Sequence, residues 1–205
     1  MERYSFQVMT IRCFLLNISL TVSIFLLSRG AEIVIVGSSY IERLDAFIKE
    51  RDLAIPDNVR LVGRSGLTLA RVRPLLEEEI SKGGHGTIVV HAGANDIGNG
   101  TKEKNWILEV EALLRFAKLR FKNYKMVWSD MTPRTNWRKQ KTVKMEKKRK
   151  RSNIRARKFF YELGHGVISH QEIQVNPELI HSDGVHLSDE GQIVFWNDFK
   201  RFFNF

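Results

Sequence analysis

Five short runs rich in β-branched and aliphatic residues recur along the chain: "EIVIVG" (32–37), "NVRLVG" (58–63), "GTIVVHAG" (86–93), "YKMVWSD" (124–130) and "HGVISH" (165–170). Several are apolar at consecutive positions, the pattern of strands covered on both faces. Helical patterning fills 40–51, 68–82, 102–120, 141–163 and 188–203. In the third of these segments Trp106, Val110, Leu113 and Ala117 recur at helical spacing and read as core. Pro74 falls early in the second, where a proline costs least if the helix starts near Leu69. Strand and helix alternating in this way predict one α/β domain over 31–205. Its architecture is a five-stranded parallel sheet with helices on both faces, a flavodoxin-like three-layer sandwich with right-handed crossovers. No internal repeat and no Pro/Gly/Ser-rich linker divides it.

Ahead of this alternation lies "CFLLNISLTVSIFLLS" (13–28), preceded by Arg3 and Arg12 and followed by Ser28, Gly30 and Ala31. A basic start, an apolar centre and small residues at the end predict a secretory signal over 1–30, cleaved after Gly30. An uncleaved signal anchor, or an extra amphipathic helix on a cytosolic protein, are the alternatives. Asn17, Ser19, Thr21 and Ser23 make the stretch a poor permanent membrane span. Secretion or membrane anchoring is therefore the expected localisation, with an intracellular, even nuclear, location as the competing one. The single cysteine, Cys13, excludes a disulfide framework and a cysteine zinc site.

Composition adds one local feature. With 43% hydrophobic and 27% charged residues the chain is ordinary for a globular protein, which excludes disorder as the default. The net charge of +10 is concentrated in "RTNWRKQKTVKMEKKRKRSNIRARK" (134–158), where thirteen Lys/Arg face one Glu. The rest of the chain is slightly acidic, so the domain as a whole is not a basic nucleic-acid-binding surface. The run from Arg134 to Lys158 has three readings: a solvated helix face whose apolar half, Ile154, Phe159, Phe160 and Leu163, packs on the sheet; a site for an anionic partner such as nucleic acid; and, in "KKRKR", a nuclear import signal. The last conflicts with a signal peptide.

The chemistry-bearing residues collect where strands end, which is where ligands bind in parallel α/β sheets. "GSS" (37–39) follows the first strand, "GRSGLT" (63–68) the second and "GANDIGNG" (93–100) the third, while "HSDGVHLSDEGQ" (181–192) follows the fifth. Alone, "VIVGSSYIERL" (34–44) reads first as a strand-to-helix turn in which Gly37 relaxes the backbone and a serine caps the helix. Together the four turns supply what acyl transfer to a hydroxyl needs. Ser39 is the hydroxyl, His186 the base and Asp183 the orienting carboxylate. The N–H groups of Ser39 and Gly66 and the Asn95 amide are the oxyanion donors.

These four blocks resemble the SGNH hydrolases, the GDSL-type esterase and lipase superfamily, in order over about 36–195. Gly37-Ser38-Ser39 stands where the family has Gly-Asp-Ser, "SGLT" gives the second-block glycine Gly66, "GAND" the asparagine Asn95, and "DGVH" the Asp-x-x-His pair Asp183 and His186. The resemblance implies a metal-independent serine hydrolase of carboxylic esters with no cofactor, acting on a small acyl ester. One position departs from the pattern: Ser38 replaces the family's Asp, which helps shape the turn. The competing function is a weakly active or inactive domain of the same fold that holds an anionic partner through its basic helix. A monomer is expected in either case.

Other polar residues have plainer readings. His181, Asp183 and His186 are also drawable as a metal triad. His85 and His91 read as packed or hydrogen-bonded core histidines, and Asp96 as a tie for its loop. "NGT" (99–101) is a glycosylation acceptor if the chain is secreted, close enough to the site to restrict bulky substrates.

Overall fold

The computed structural model describes residues 31–80, 84–137 and 140–205. The apolar stretch 13–28, with Cys13 and the expected cleavage after Gly30, lies outside them. Five strands, β1 (Glu32–Gly37), β2 (Val59–Gly63), β3 (Gly86–His91), β4 (Tyr124–Ser129) and β5 (Gly166–Ile168), form an all-parallel sheet in the order β2-β1-β3-β4-β5. Period-two alternation divides the side chains between two cores. Val34, Val36, Ile88, Val90, Met126 and Trp128 turn to one face, and Ile35, Val89 and Val127 to the other.

The first face is covered by α2 (Leu69–Glu79), α4 (Glu103–Arg120) and α5 (Thr142–Glu162), which bury Val72, Leu76, Trp106, Val110, Leu113, Ala156 and Phe160. The second is covered by α1 (Ser39–Glu50) and α7 (Asp189–Phe203), through Ile41, Leu44, Phe195, Trp196 and Phe199. This is the three-layer α/β sandwich that the hydrophobic pattern predicts, and Glu32–Phe205 forms one compact unit. Two short helices were not legible in the pattern, α3 (Ala94–Gly98) and α6 (Gln171–Val175), along with a single 3₁₀ turn at Pro177–Leu179. Each is too brief to show a helical period.

Two expectations about the periphery are corrected. On α5 the buried face is Met145, Arg149, Ser152, Asn153, Ala156 and Phe160, whereas Ile154 and Leu163 are exposed. Polar anchoring sets the rotation of this helix. Arg149 donates to the Met131 carbonyl at 2.7 Å and Asn153 donates to the same oxygen at 3.0 Å, while Arg157 pairs with buried Asp130. His85 is exposed, since β3 begins only at Gly86. Among the described residues no helix is long and apolar enough to cross a membrane.

Candidate active site

The sheet order reverses between β1 and β3, and in open α/β sheets the crevice at such a switch point, outside the carboxyl ends of the strands, is where ligands bind. Ser39 stands directly beyond β1 as the first residue of α1, and Asn95 directly beyond β3 on α3. Ser38, not Ser39, occupies the helix-capping position, and its side chain makes no capping hydrogen bond. The capping reading therefore does not describe Ser39, whose Oγ lies 3.0 Å from His186 Nε2.

The His186 side chain is held by its own loop. Its Nδ1 is 2.7 Å from Asp183 Oδ2, and the other carboxylate oxygen, Oδ1, accepts the N–H groups of Val185 and His186 at 2.8 and 2.9 Å. Burial alone would raise the Asp183 carboxyl, but the hydrogen bonds from the His186 ring and from these two N–H groups outweigh it and hold it below the usual carboxylate range. A carboxylate only accepts, so Nδ1 carries a proton, and in the neutral imidazole Nε2 is then the nitrogen that presents a lone pair to the Ser39 hydroxyl.

The loop is clamped from two sides. Ile180 and Leu187 form an antiparallel bridge, and the His181 N–H donates to the His186 carbonyl at 2.8 Å. His181 also accepts the Asp183 N–H through Nδ1 at 3.3 Å and so braces the turn. From outside, the N–H groups of Thr135 and Asn136 both donate to the Gly184 carbonyl at 2.8 Å, and Asn136 Nδ2 donates to the Asp183 carbonyl at 3.2 Å. Gly184 is needed there: its φ is +71°, and a Cβ would lie 2.5 Å from Thr135 Oγ1. Downstream, Ser188 caps α7 by accepting the Gly191 N–H at 3.2 Å.

The oxyanion candidates converge on the same place. Ser39, Gly66, Asn95 and His186 line one cavity of about 190 Å³. Gly66 takes a left-handed φ of +73° that other residues resist, and it turns the chain between β2 and α2. Asn95 Nδ2 donates to the Leu67 carbonyl at 3.0 Å, and the amide's second hydrogen is left over. Asp96 fills its expected role as a tie, accepting the Leu69 N–H at 3.1 Å and thus capping α2 from α3. Burial raises its carboxyl to about 6 against the pull of that hydrogen bond.

Three lining residues escaped the sequence reading: Arg134, Asn136 and Trp137, on the segment after β4. Arg134 opens the basic run, yet it is buried, its guanidinium stacked over the rings of Tyr40 and Trp137 at 5.4 and 5.2 Å. The signal was Pro133, which keeps "SDMTPRTNW" out of the following helix and leaves it on the same rim as the other blocks. Glu146, the only acid of the run, accepts the Arg134 N–H and Trp137 Nε1, both at 3.0 Å, and Arg149 Nε at 2.8 Å. The basic helix thus holds the segment that roofs the cavity.

The remaining histidine expectations divide. His91 is buried and hydrogen-bonded as expected, in a chain that runs from its Nδ1 to Ser129 Oγ (2.9 Å), from there to His170 Nε2 (2.8 Å), and from His170 Nδ1 to Asp198 Oδ2 (2.9 Å). Burial, reinforced by His170 and Arg134, depresses the His91 pKa well below the usual value. Ser129, His170 and Asp198 repeat the residue types of a triad, but Ser129 and His170 have no solvent exposure. Among the described residues no group of three His, Cys, Asp or Glu side chains is placed to hold a metal, and both His186 ring nitrogens already have partners.

The sequence matches no protein-family model and no curated protein. The structure is similar to a GDSL-like lipase from Bacteroides thetaiotaomicron, at 18% identity and TM-score 0.68 over 87% of this chain and 90% of that one. It is also similar to an acetylxylan esterase from Geobacillus stearothermophilus, at 14% identity and TM-score 0.64 over 86% and 95% of the two chains. A member of the lipolytic G-D-S-L family from Veillonella parvula aligns at 15% identity and TM-score 0.64 over 82% and 95%.

Proposed function

We propose, from the premise that this chain has the fold of the GDSL-type (SGNH) hydrolases, that it is a metal-independent serine hydrolase of short-chain carboxylic esters. The observation that supports this most is the continuous Ser39–His186–Asp183 hydrogen-bond chain at the rim of a cavity, with links of 3.0 and 2.7 Å. In this reading Ser39 Oγ attacks the acyl carbon while its proton passes to His186 Nε2, and Asp183 steadies the resulting imidazolium through Nδ1–H. The N–H groups of Ser39 and Gly66 and the free hydrogen of Asn95 Nδ2 receive the oxyanion. Ser39 N–H suits this task because first-turn amides of a helix have no intrahelical acceptor. The imidazolium then protonates the leaving alcohol, and water, deprotonated by the same nitrogen, releases the acid and restores the serine.

A cavity of about 190 Å³ favours a short acyl group. The acetyl ester substrate named for the Geobacillus neighbour is of that size. Steady-state hydrolysis of p-nitrophenyl acetate and butyrate by the full chain, with Ser39→Ala as control, tests the reading. Turnover that vanishes in the variant supports it, and turnover unaffected by the substitution refutes it.

The competing reading, a non-catalytic domain with an anionic partner, is favoured by the exposed, outward-facing Lys144, Lys147 and Lys150 of α5. It requires nucleic-acid binding that falls steeply with salt, together with no ester turnover. Secretion through residues 1–30 is proposed on the sequence pattern alone, and N-terminal sequencing of exported protein beginning at Ala31 would support it. In that setting Asn99, at the lip of the cavity, would carry a glycan able to exclude bulky esters.

A further inference from the structure

Arg134 is 93% buried, and its guanidinium has no salt-bridge partner among the described residues. The acids of the flanking elements are engaged elsewhere, Asp130 by Arg157 and Glu146 by Arg149. Among the described residues its Nε is buried without a hydrogen-bond partner, and its one side-chain hydrogen bond is a long one, 3.5 Å from Nη2 to Asn95 Oδ1. The aromatic faces of Tyr40 and Trp137 offset part of the charge, but a buried cation without a counter-ion is strongly unfavourable. Such a group persists where a ligand completes it. The side chain lines the cavity that also holds Ser39, Asn95 and His186, where an anionic group on a bound substrate can supply the missing partner.

We infer that Arg134 is an anion subsite and that the esters cleaved here carry a negatively charged oxygen group, a carboxylate or a sulfo or phospho group, within reach of its guanidinium. This deepens the esterase reading and rests on it for the chemistry, though the binding half stands alone. A planar guanidinium offers paired donors to such a group, which a lysine ammonium does not reproduce. The contact with Asn95 Oδ1 gives Arg134 a second effect: it fixes which way the amide points and leaves Nδ2 turned toward Leu67 and the cavity. Selectivity for charge separates the two effects, because amide orientation serves every ester alike.

The test uses four aryl acetates that differ only in the para group: 4-acetoxybenzoate, 4-acetoxybenzenesulfonate, methyl 4-acetoxybenzoate and 4-acetoxyphenyltrimethylammonium. Their kcat/KM values are measured on the full wild-type chain and on Arg134→Gln and Arg134→Lys, each divided by the hydroxide-catalysed rate of that ester. The wild type should favour one or both anions over the neutral ester by about tenfold or more, chiefly through KM, the preference collapsing in Arg134→Gln and being only partly restored by Arg134→Lys. No preference in the wild type, or equal loss for all four esters in Arg134→Gln, would overturn the proposal. In parallel, calorimetric titration of the full Ser39→Ala chain with 4-acetoxybenzoate and with its methyl ester reads binding without turnover. Tighter binding of the anion that disappears in Ser39→Ala/Arg134→Gln, combined with no hydrolysis by the wild type, would keep the anion subsite and reject the esterase. Absence of that binding would reject the subsite whatever the kinetics.

Discussion

Ser39 Oγ and His186 Nε2 lie 3.0 Å apart although 147 positions separate the two residues in the chain. Each is set by a local device: Ser39 by the turn from β1 into α1, His186 by a loop whose own Asp183 carboxylate receives three of its donors. Because the loop closes on itself, removing the imidazole should leave its backbone intact. His186→Ala should therefore lower kcat/KM for p-nitrophenyl acetate by roughly 10³- to 10⁴-fold. The thermal midpoint should move by only a few degrees, since one partly exposed side chain is lost. Kinetics and a thermal melt on the same preparation check both.

The two acids nearest the site should act on stability with opposite signs. Asp183 has a depressed pKa, so its contribution is present above the unfolded carboxylate value and is lost as pH falls through the folded one. Asp96, raised to about 6, keeps its proton in the fold where the unfolded chain has released it. Stability therefore falls as pH rises from about 4 to about 6, by on the order of 2–3 kcal/mol. Asp96→Asn keeps an acceptor for the Leu69 N–H and removes that slope. Denaturant unfolding of both proteins at pH 4, 5, 6 and 7 should show the variant gaining on the wild type between pH 4 and 6 and level with pH above.

The sealed Ser129–His170–Asp198 chain is a structural counterpart of the exposed one. Ser129→Ala strands two buried imidazole nitrogens and should cost about 1–3 kcal/mol in unfolding free energy. It should leave ester kcat/KM within a few-fold of wild type. Chemical denaturation paired with the p-nitrophenyl acetate assay measures the contrast.

Within the basic run, neighbouring cations should behave in opposite ways. Arg149 has no solvent exposure and is bonded to Glu146, Met131 and Gln174, so Arg149→Ala should destabilise the fold by about 3–5 kcal/mol. Lys147 is exposed, and Lys147→Ala should change stability by no more than about 0.5 kcal/mol. Urea unfolding of the two variants compares them directly, and a charge-reversal test of anion binding belongs on Lys144, Lys147 and Lys150, where folding is not at stake.

The sheet and its five long helices were legible because their signal is local: consecutive apolar runs for strands, helical spacing for Trp106, Val110, Leu113 and Ala117. Ser39, Gly66 and Asn95 were legible because each follows a strand, and parallel strands send their ends to one rim, whereas Asp183 and His186, separated from β5 by α6 and the 3₁₀ turn, were legible through their Asp-x-x-His spacing. Residues whose role depends on burial were misread. Arg134 and Arg149 count as surface charges in any composition, and it is packing against Tyr40 and Trp137 for the one, and hydrogen bonds to Met131 and Gln174 for the other, that take them inside. Ile154 and Leu163 failed for the converse reason, since Arg149, Asn153 and Arg157 set the rotation of α5 against its apolar residues.

The central claim is that Ser39 is an activated nucleophile, and a fluorophosphonate probe followed by peptide mapping tests it most directly, because the reagent reacts with a hydroxyl only when a base and an oxyanion site assist. The account predicts a single adduct on Ser39, abolished by Ser39→Ala, strongly suppressed by His186→Ala, weakened by Asp183→Ala and only reduced by Ser38→Ala. An adduct on Ser38 or on Ser129, or no adduct on the folded wild-type chain, would contradict it.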